Sequence, residues 1–392
     1  MLKDVYLAGA ARTAIGGFGG AFAEVPAPVL GSAVIAAALQ RAGVKADQVD
    51  EVIFGNVISA GLGQNPARQA GIGAGLNPSI GATTVSKVCG SGLKAVMLAA
   101  QAIQCDDSAA VVAGGMENMS RAPYLLDRAR TGYRMGNGEL IDSMIRDGLW
   151  DIYNNVHMGT CGDRCAAKFQ FTRQQQDDFA AASYKRALAA VASGVFAQEI
   201  VAVNAPAGKI TVAVTEDEQP KKFNEEKLRQ LRPAFGKEGT VTAGNASSIN
   251  DGAAAVVVLS ADKARSLGVK AQARILGYAT ASREPEWFTL APIGALTKLM
   301  DKLHLKVADV DLFEINEAFA VVTMAAMKEL NIPHEKVNVN GGAVALGHPI
   351  GASGARTLVT LLNAMRQRNA RIGIDTLCIG GGEAVAMAVE LL

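Results

Sequence analysis

The chain of 392 residues lacks any apolar run near the roughly 20 residues that a membrane-crossing helix needs. This excludes a helical span, although 49% of the residues are hydrophobic, because much of that fraction is alanine. A charged-then-apolar leader is also missing. Val5-Tyr6-Leu7-Ala8-Gly9 already reads as a first strand, so no secretory signal is expected. Neither charge is in excess: 38 basic and 37 acidic residues leave a net charge of +1, which gives no overall field for nucleic acid. Cysteine is sparse and odd in number. Cys89, Cys105, Cys161, Cys165 and Cys378 form no even disulfide framework and point to reduced thiols in the cytoplasm. Cys161 and Cys165 have no second pair to complete a zinc site, so no metal is expected. Gly71-Ile72-Gly73-Ala74-Gly75 is neither a Walker A loop nor a positioned dinucleotide fingerprint.

What is present is one α/β unit written twice. In the first copy Val49 to Asn56 reads as a strand, Cys89-Gly90-Ser91-Gly92-Leu93-Lys94 opens a helix, and Val111 to Glu117 follows. The second copy runs Val310 to Asn316, Gly351 to Arg356, then Leu377 to Glu383. Asp50 and Asp311 lie 261 residues apart, Ser91 and Ser353 262, Gly114 and Gly381 267. Three landmarks in one order at nearly one spacing point to duplication. At roughly 100–200 residues per domain the length fits two or three domains. Short apolar strands alternating with amphipathic helices predict βαβ units on a mostly parallel sheet. Helices are expected over 30–43 and 92–104. The second is apolar nearly all round and therefore buried, and its counterpart from Ala355 through Met365 has the same character. Packed across a pseudo-twofold axis, these two helices would bring their N-terminal ends to a common centre.

Residues 119–248 differ: they carry many charges, few long apolar runs and most of the aromatic side chains. Within them Thr172 reads as the N-cap of a helix reaching about Ser193. Asn250 to Leu259 then returns to core-strand composition, so 119–248 reads as an insertion in the first unit, of the kind that carries ligand specificity. Its segment Arg121 to Arg134 holds four arginines against Asp127, which suits either an oligomer contact or attraction of an anionic ligand.

Each candidate for chemistry has a plain structural alternative. Cys89 before Gly-Ser-Gly at a helix start sits where unpaired N–H groups and the helix dipole favour a thiolate, yet a buried cysteine in a tight turn has the same spelling. His348 lies in the glycine-rich stretch Asn338 to Gly354, where backbone can approach a ligand closely. Cys378 ends an apolar strand and reads equally as a small core residue. Asn316 reads equally as a helix N-cap.

Taken together, the motifs resemble the thiolase family across essentially the whole chain. Val88-Cys89-Gly90-Ser91-Gly92, Gly63 to Gln69, Gly114-Gly115-Met116-Glu117-Asn118-Met119-Ser120, Asn316-Glu317-Ala318-Phe319, Gly347-His348-Pro349 and Cys378-Ile379-Gly380-Gly381 match in order, most closely the short-chain members. The resemblance implies two βαβαβαββ halves in a five-layer αβαβα sandwich: 1–118 with 249–271, the inserted loop domain 119–248, and 272–392. It also implies a cytoplasmic homotetramer acting on acetyl-CoA, acetoacetyl-CoA and CoA, with no tightly bound cofactor, no nucleic acid and no membrane.

By the same resemblance Cys89 carries the acyl group, His348 takes its proton, and Cys378 removes a proton from carbon. Asn316, through a water, and His348 form one oxyanion hole; the N–H groups of Cys89 and Gly380 form the other. Coenzyme A is expected beside His157, Phe235, Ser247 and Phe319, with Lys221 toward its phosphates. Met158 and Phe288 are expected to close the acyl pocket. Two departures stand out: Phe288-Thr289-Leu290-Ala291-Pro292 where the family has Met-Gly-x-Gly-Pro, and Ala384 where many members have glycine. The alternatives are a ketoacyl synthase, a thiolase of broader chain length, and a catalytically silent CoA-binding protein.

Overall fold

The alternation of strand and helix stretches is realised over residues 3–392, which the computed structural model describes. The first unit runs β1 (Val5–Thr13), α1 (Ala27–Ala42), β2 (Glu51–Gly55), β3 (Gly81–Val85), α2 (Ser91–Gln104) and β4 (Ala110–Asn118). The chain then leaves the sheet for α3 (Met158–Phe169) and α4 (Arg173–Ala192), touches it again where Ile200–Val201 pairs with β1, and returns as β5 (Asn250–Ser260). The second unit runs β6 (Ala273–Ser282), α5 (Ala291–Leu303), β7 (Leu312–Ile315), α6 (Ala320–Leu330), α7 (Ser353–Arg368), β8 (Ile372–Ile379) and β9 (Glu383–Leu391). Local chemistry sets several ends. Helix α4 starts on a reciprocal capping box between Thr172 and Gln175, and α1 stops at Gly43, whose φ of 68° suits a residue without Cβ.

The strands form one continuous path, β7-β8-β9-β6-β1-β5-β4-β2-β3. Only β2 with β3, β2 with β4, and β7 with β8 are parallel among these; β4-β5, β5-β1, β6-β9 and β8-β9 are antiparallel. The expected mostly parallel sheet is thus corrected to a mixed one, because the last strand of each unit, β5 and β9, runs back along its neighbour instead of completing a parallel βαβ crossover. The duplication holds, but its third landmark does not. Strands β4 and β8 begin at Ala110 and Ile372, 262 residues apart (372 − 110), whereas Gly114 and Gly115 lie inside β4 and Gly380 and Gly381 lie beyond β8. Among the described residues the two sheet halves pair only at Tyr6–Arg274 and Leu7–Ala273.

Three apolar cores follow. One packs α1 against the first half-sheet through Leu30, Val34, Ile35 and Phe54. Another packs α5 and α6 against the second through Leu296, Leu299, Phe313 and Ala326. Between the half-sheets lies a shared core in which Val96 and Met97 of α2 meet Leu358, Val359 and Leu362 of α7. This gives five layers, α1, half-sheet, α2 with α7, half-sheet, α5 with α6. The insertion is tied to β1 by Arg12, fully buried, whose Nε lies 2.6 Å from Glu199 and whose Nη1 lies 2.7 Å from Asp217. Such a cluster is costly to break because one partner removed leaves the other charge buried.

The N-terminal ends of α2 and α7 meet as expected, and only glycine lets them. A Cβ on Gly92 would sit 2.6 Å from the Ala355 nitrogen, and one on Gly354 would strike the Leu93 backbone. Gly92→Ala is therefore expected to lower unfolding stability by about 1–3 kcal/mol. A urea midpoint that does not move would mean that the helices can part without cost.

Candidate active site

Cys89 sits in a tight turn rather than on the helix. Val88 before it has φ of 44°, left-handed backbone that a β-branched residue rarely adopts. The turn is held by the Ser91 hydroxyl, which accepts from the Lys87 N–H (2.8 Å) and donates to the Val88 carbonyl (2.6 Å). Helix α2 begins only at Ser91, with Gly90 as its cap. The expectation of a favoured thiolate fails here. Burial pushes the Cys89 thiol up to about 11, outweighing the N–H groups of Gly380 and Cys89 itself, which point at the sulfur and pull the other way.

His348 is also held uncharged. Its Nδ1 lies 2.6 Å from the Ser353 hydroxyl, which donates to the Pro349 carbonyl at 2.8 Å. A hydroxyl has one proton, so this network assigns the ring proton to Nδ1 and leaves Nε2 as the acceptor. Nε2 is buried and makes no hydrogen bond among the described residues. Burial first, then the charge of Arg356, lower its pKa to about 3. The loop is fixed by the His348 N–H donating to Asn250 Oδ1 at 3.0 Å.

Cys378, the penultimate residue of β8, is fully buried beside Met158, Phe288 and Phe319. Its pKa is raised well above the ordinary value by burial and then by Cys89. Asn316 follows β7, and its N–H donates to the Thr376 carbonyl at 3.0 Å. Both polar atoms of its side chain are buried with no hydrogen-bond partner among the described residues. Such an arrangement is uncommon outside functional sites.

A cavity of about 450 Å³ opens between these elements, lined by Cys89, His348 and Gly380. His157, Met158, Phe235, Ser247, Phe288 and Phe319 also line it. Cys378 and Asn316 are not among its wall residues. The insertion supplies one side: His157 caps α3 by accepting from the Gly159 N–H (3.1 Å) and stacks on Phe235 with ring centroids 4.6 Å apart. Phe288 meets Phe319 edge to face at 6.3 Å. Lys221 is not brought to the cavity; it pairs with Glu216 at 2.5 Å on the surface, while nearby Gln219 does line it. Cys161 and Cys165 are buried in the apolar cluster around Phe319, and no group of three metal-binding side chains occurs among the described residues.

Comparison with known proteins decides the family. Residues 5–262 match the model for the thiolase N-terminal domain, and residues 269–391 match the model for the thiolase C-terminal domain. The chain belongs to the thiolase family. Acetyl-CoA acetyltransferase 2 of Arabidopsis thaliana is 54% identical over 100% of this chain and 98% of its own length. The acetyl-CoA acetyltransferase of Pseudomonas aeruginosa is 52% identical over 99% of each chain. The crystal structure of the Bacillus anthracis acetyl-CoA acetyltransferase superposes with a TM-score of 0.98 at 41% identity, covering 100% of this chain and 99% of that one.

Within this thiolase, sequence reasoning quoted but left without a role the buried carboxylates Glu117 and Glu317. It also passed over Gln219 and the Val88 turn. A single acid closing an apolar strand, as in Val111 to Glu117, was the available signal. Because its thiol is pushed up to about 11, Cys89 is expected to react with iodoacetamide at a rate that keeps climbing with pH through 9. A plateau by pH 7 would mean that the N–H groups outweigh burial after all.

Proposed function

We propose that this protein is an acetyl-CoA C-acetyltransferase, joining two acetyl-CoA into acetoacetyl-CoA and CoA and running the reverse thiolysis. The observation that carries this reading is one cavity in which Cys89 from the first half meets His348 and Gly380 from the second, with His348 Nε2 making no hydrogen bond among the described residues and a second cysteine, Cys378, buried in the second half. The names and full-length identities of the relatives support the same activity.

In the proposed cycle all three groups start uncharged. The Cys89 sulfur attacks the thioester carbon of the first acetyl-CoA while His348 Nε2 takes its proton, and the N–H groups of Cys89 and Gly380 donate to the oxyanion. The carbon–sulfur bond to CoA breaks, and the departing thiolate takes the Cys378 proton. This leaves acetyl-Cys89, an imidazolium and a Cys378 thiolate, so charge appears only as a pair. The second acetyl-CoA gives a methyl proton to Cys378. Its enolate oxygen is held by His348 and by a water on Asn316, and its carbon attacks the acetyl group. Cys89 leaves as thiolate and recovers its proton from His348.

The pantetheine and adenine portions are assigned to His157, Phe235, Ser247 and Phe319, all at the cavity, and the phosphates to the exposed Lys221 outside it, which would exchange its surface pair with Glu216 for them. A homotetramer is supported by the exposed apolar residues Tyr124, Leu126, Met135 and Leu140 on the inserted arm. A cytoplasmic setting is supported by five free cysteines. None of the helices among the described residues is long and apolar enough to cross a membrane.

Intact mass spectrometry after mixing with acetyl-CoA is expected to show one acetyl adduct that Cys89→Ala abolishes. Cys378→Ser should still take the acetyl group yet fail to exchange acetyl-CoA methyl protons for deuterium; normal exchange would reassign the carbon base. Phe288, a rigid ring where methionine would yield, restricts chain length: overpacking costs typically ~1–3 kcal/mol, roughly 5–150-fold in kcat/KM. Acetoacetyl-CoA is thus expected to be preferred over a six-carbon 3-ketoacyl-CoA, with Phe288→Ala narrowing the gap; equal kcat/KM in the native protein would favour a thiolase of broader chain length.

A further inference from the structure

The stretch from Gly342 to Gly351 that carries His348 is held at both ends by buried carboxylates. Glu317, from the second half, accepts from the Val344 N–H at 3.1 Å and from the Ser183 hydroxyl at 2.7 Å, with Asn338 Nδ2 at 2.8 Å on its other oxygen. Glu117, from the first half, accepts from the Gly351 N–H at 3.0 Å and the Val57 N–H at 3.1 Å on one oxygen. Its other oxygen takes Asn56 Nδ2 at 2.9 Å and the Ile58 N–H at 3.3 Å. Neither forms an ion pair among the described residues. The fit is close. A Cβ on Gly351 would lie 2.7 Å from Glu117 Oε2, and one on Gly342 would strike the Glu317 carboxyl.

Burying a carboxylate without a cation in contact is costly, even where a charge such as Arg356 acts on Glu317 from farther off, and an amide or an aliphatic side chain would close a core at lower cost. Two such groups, each taking a backbone N–H from an opposite end of one loop, are better accounted for by the geometry they impose. We infer that Glu117 and Glu317 are positioning residues that clamp the His348 loop from the two halves and so set where Nε2 faces Cys89. The inference rests on His348 being the base of the reaction proposed above. Four donors converge on Glu117, so its bonds are strongest when it is ionised. Burial nonetheless raises its pKa to about 7, against the pull of the backbone donors. Glutamine retains one acceptor oxygen but turns an NH2 group toward two donors, so it should loosen one end of the loop without leaving a hole.

The test compares the native protein with Glu117→Gln, Glu317→Gln and the exchange pair Asn56→Asp with Glu117→Gln. In the exchange pair the carboxylate moves to position 56 and accepts from the amide now at position 117, whose oxygen is left to restore the Gly351 bond. Rapid-quench mass spectrometry reads Cys89 acetylation, and hydrogen exchange reads residues 342–351. Each single variant is expected to acetylate about tenfold or more slowly, since a misplacement near 1 Å is worth up to ~100-fold. CoA affinity should stay within about twofold, and the exchange pair should recover part of the rate, since a carboxylate at position 56 no longer donates to the Met116 carbonyl, 3.2 Å from Asn56 Nδ2. Faster amide exchange over 342–351 in the single variants completes the expected result. Unchanged acetylation in both single variants, or losses matched by lost CoA affinity or not rescued by the exchange pair, would overturn the clamp. A native protein that takes no acetyl group would overturn the proposed function instead, and the clamp would then stand or fall on the exchange data alone.

Discussion

The site depends on one close contact, the meeting of the α2 and α7 N-terminal ends at Gly92 and Gly354. Cys89 lies two residues before α2 (91 − 89) and His348 five residues before α7 (353 − 348), so the approach of the helices is what brings the two groups together. The half-sheets cannot do this, since among the described residues they pair over only two register positions, Tyr6–Arg274 and Leu7–Ala273. A second close contact reinforces the first: a side chain on Gly115 of β4 would strike the Gly351 carbonyl, so the strand of one half lies directly against the histidine loop of the other.

Depth then decides protonation. At Cys89 the N–H groups that would stabilise a thiolate are present, but desolvation is the larger effect. At His348 desolvation acts in the opposite direction and keeps the ring a base. A neutral resting pair costs less to bury than an ion pair, and it leaves the oriented N–H groups for the substrate oxygen rather than for the enzyme's own sulfur.

Much of this was legible in the chain. Cys89, His348, Asn316 and Cys378 each sit in a short motif whose glycines or strand end restrict the backbone locally, and α2 announced its burial by being apolar all round. The Thr172 capping box likewise foretold α4 to within a residue. What was not legible depends on distance between segments. The antiparallel pairing of β5 with β4 and of β9 with β6 needs partners far along the chain. The left-handed Val88 runs against its own preference and is imposed by the turn around Ser91. The Glu216 partner of Lys221 lies five residues away on the surface and had no mark in the sequence. The clamp carboxylates escaped because a glutamate reads as a surface residue unless its donors are known.

The shared central layer has a consequence for synthesis. Helix α2 is buried on nearly every side, yet part of its cover is α7, which begins 249 residues after α2 ends (353 − 104). At translation rates of roughly 5–20 residues per second, the apolar face of α2 waits on the order of tens of seconds for its partner. Through that interval the first half has one half-sheet to lean on and an uncovered stripe facing water. The nascent chain is therefore most exposed to aggregation, and most dependent on chaperones, between the completion of β5 and the emergence of α7.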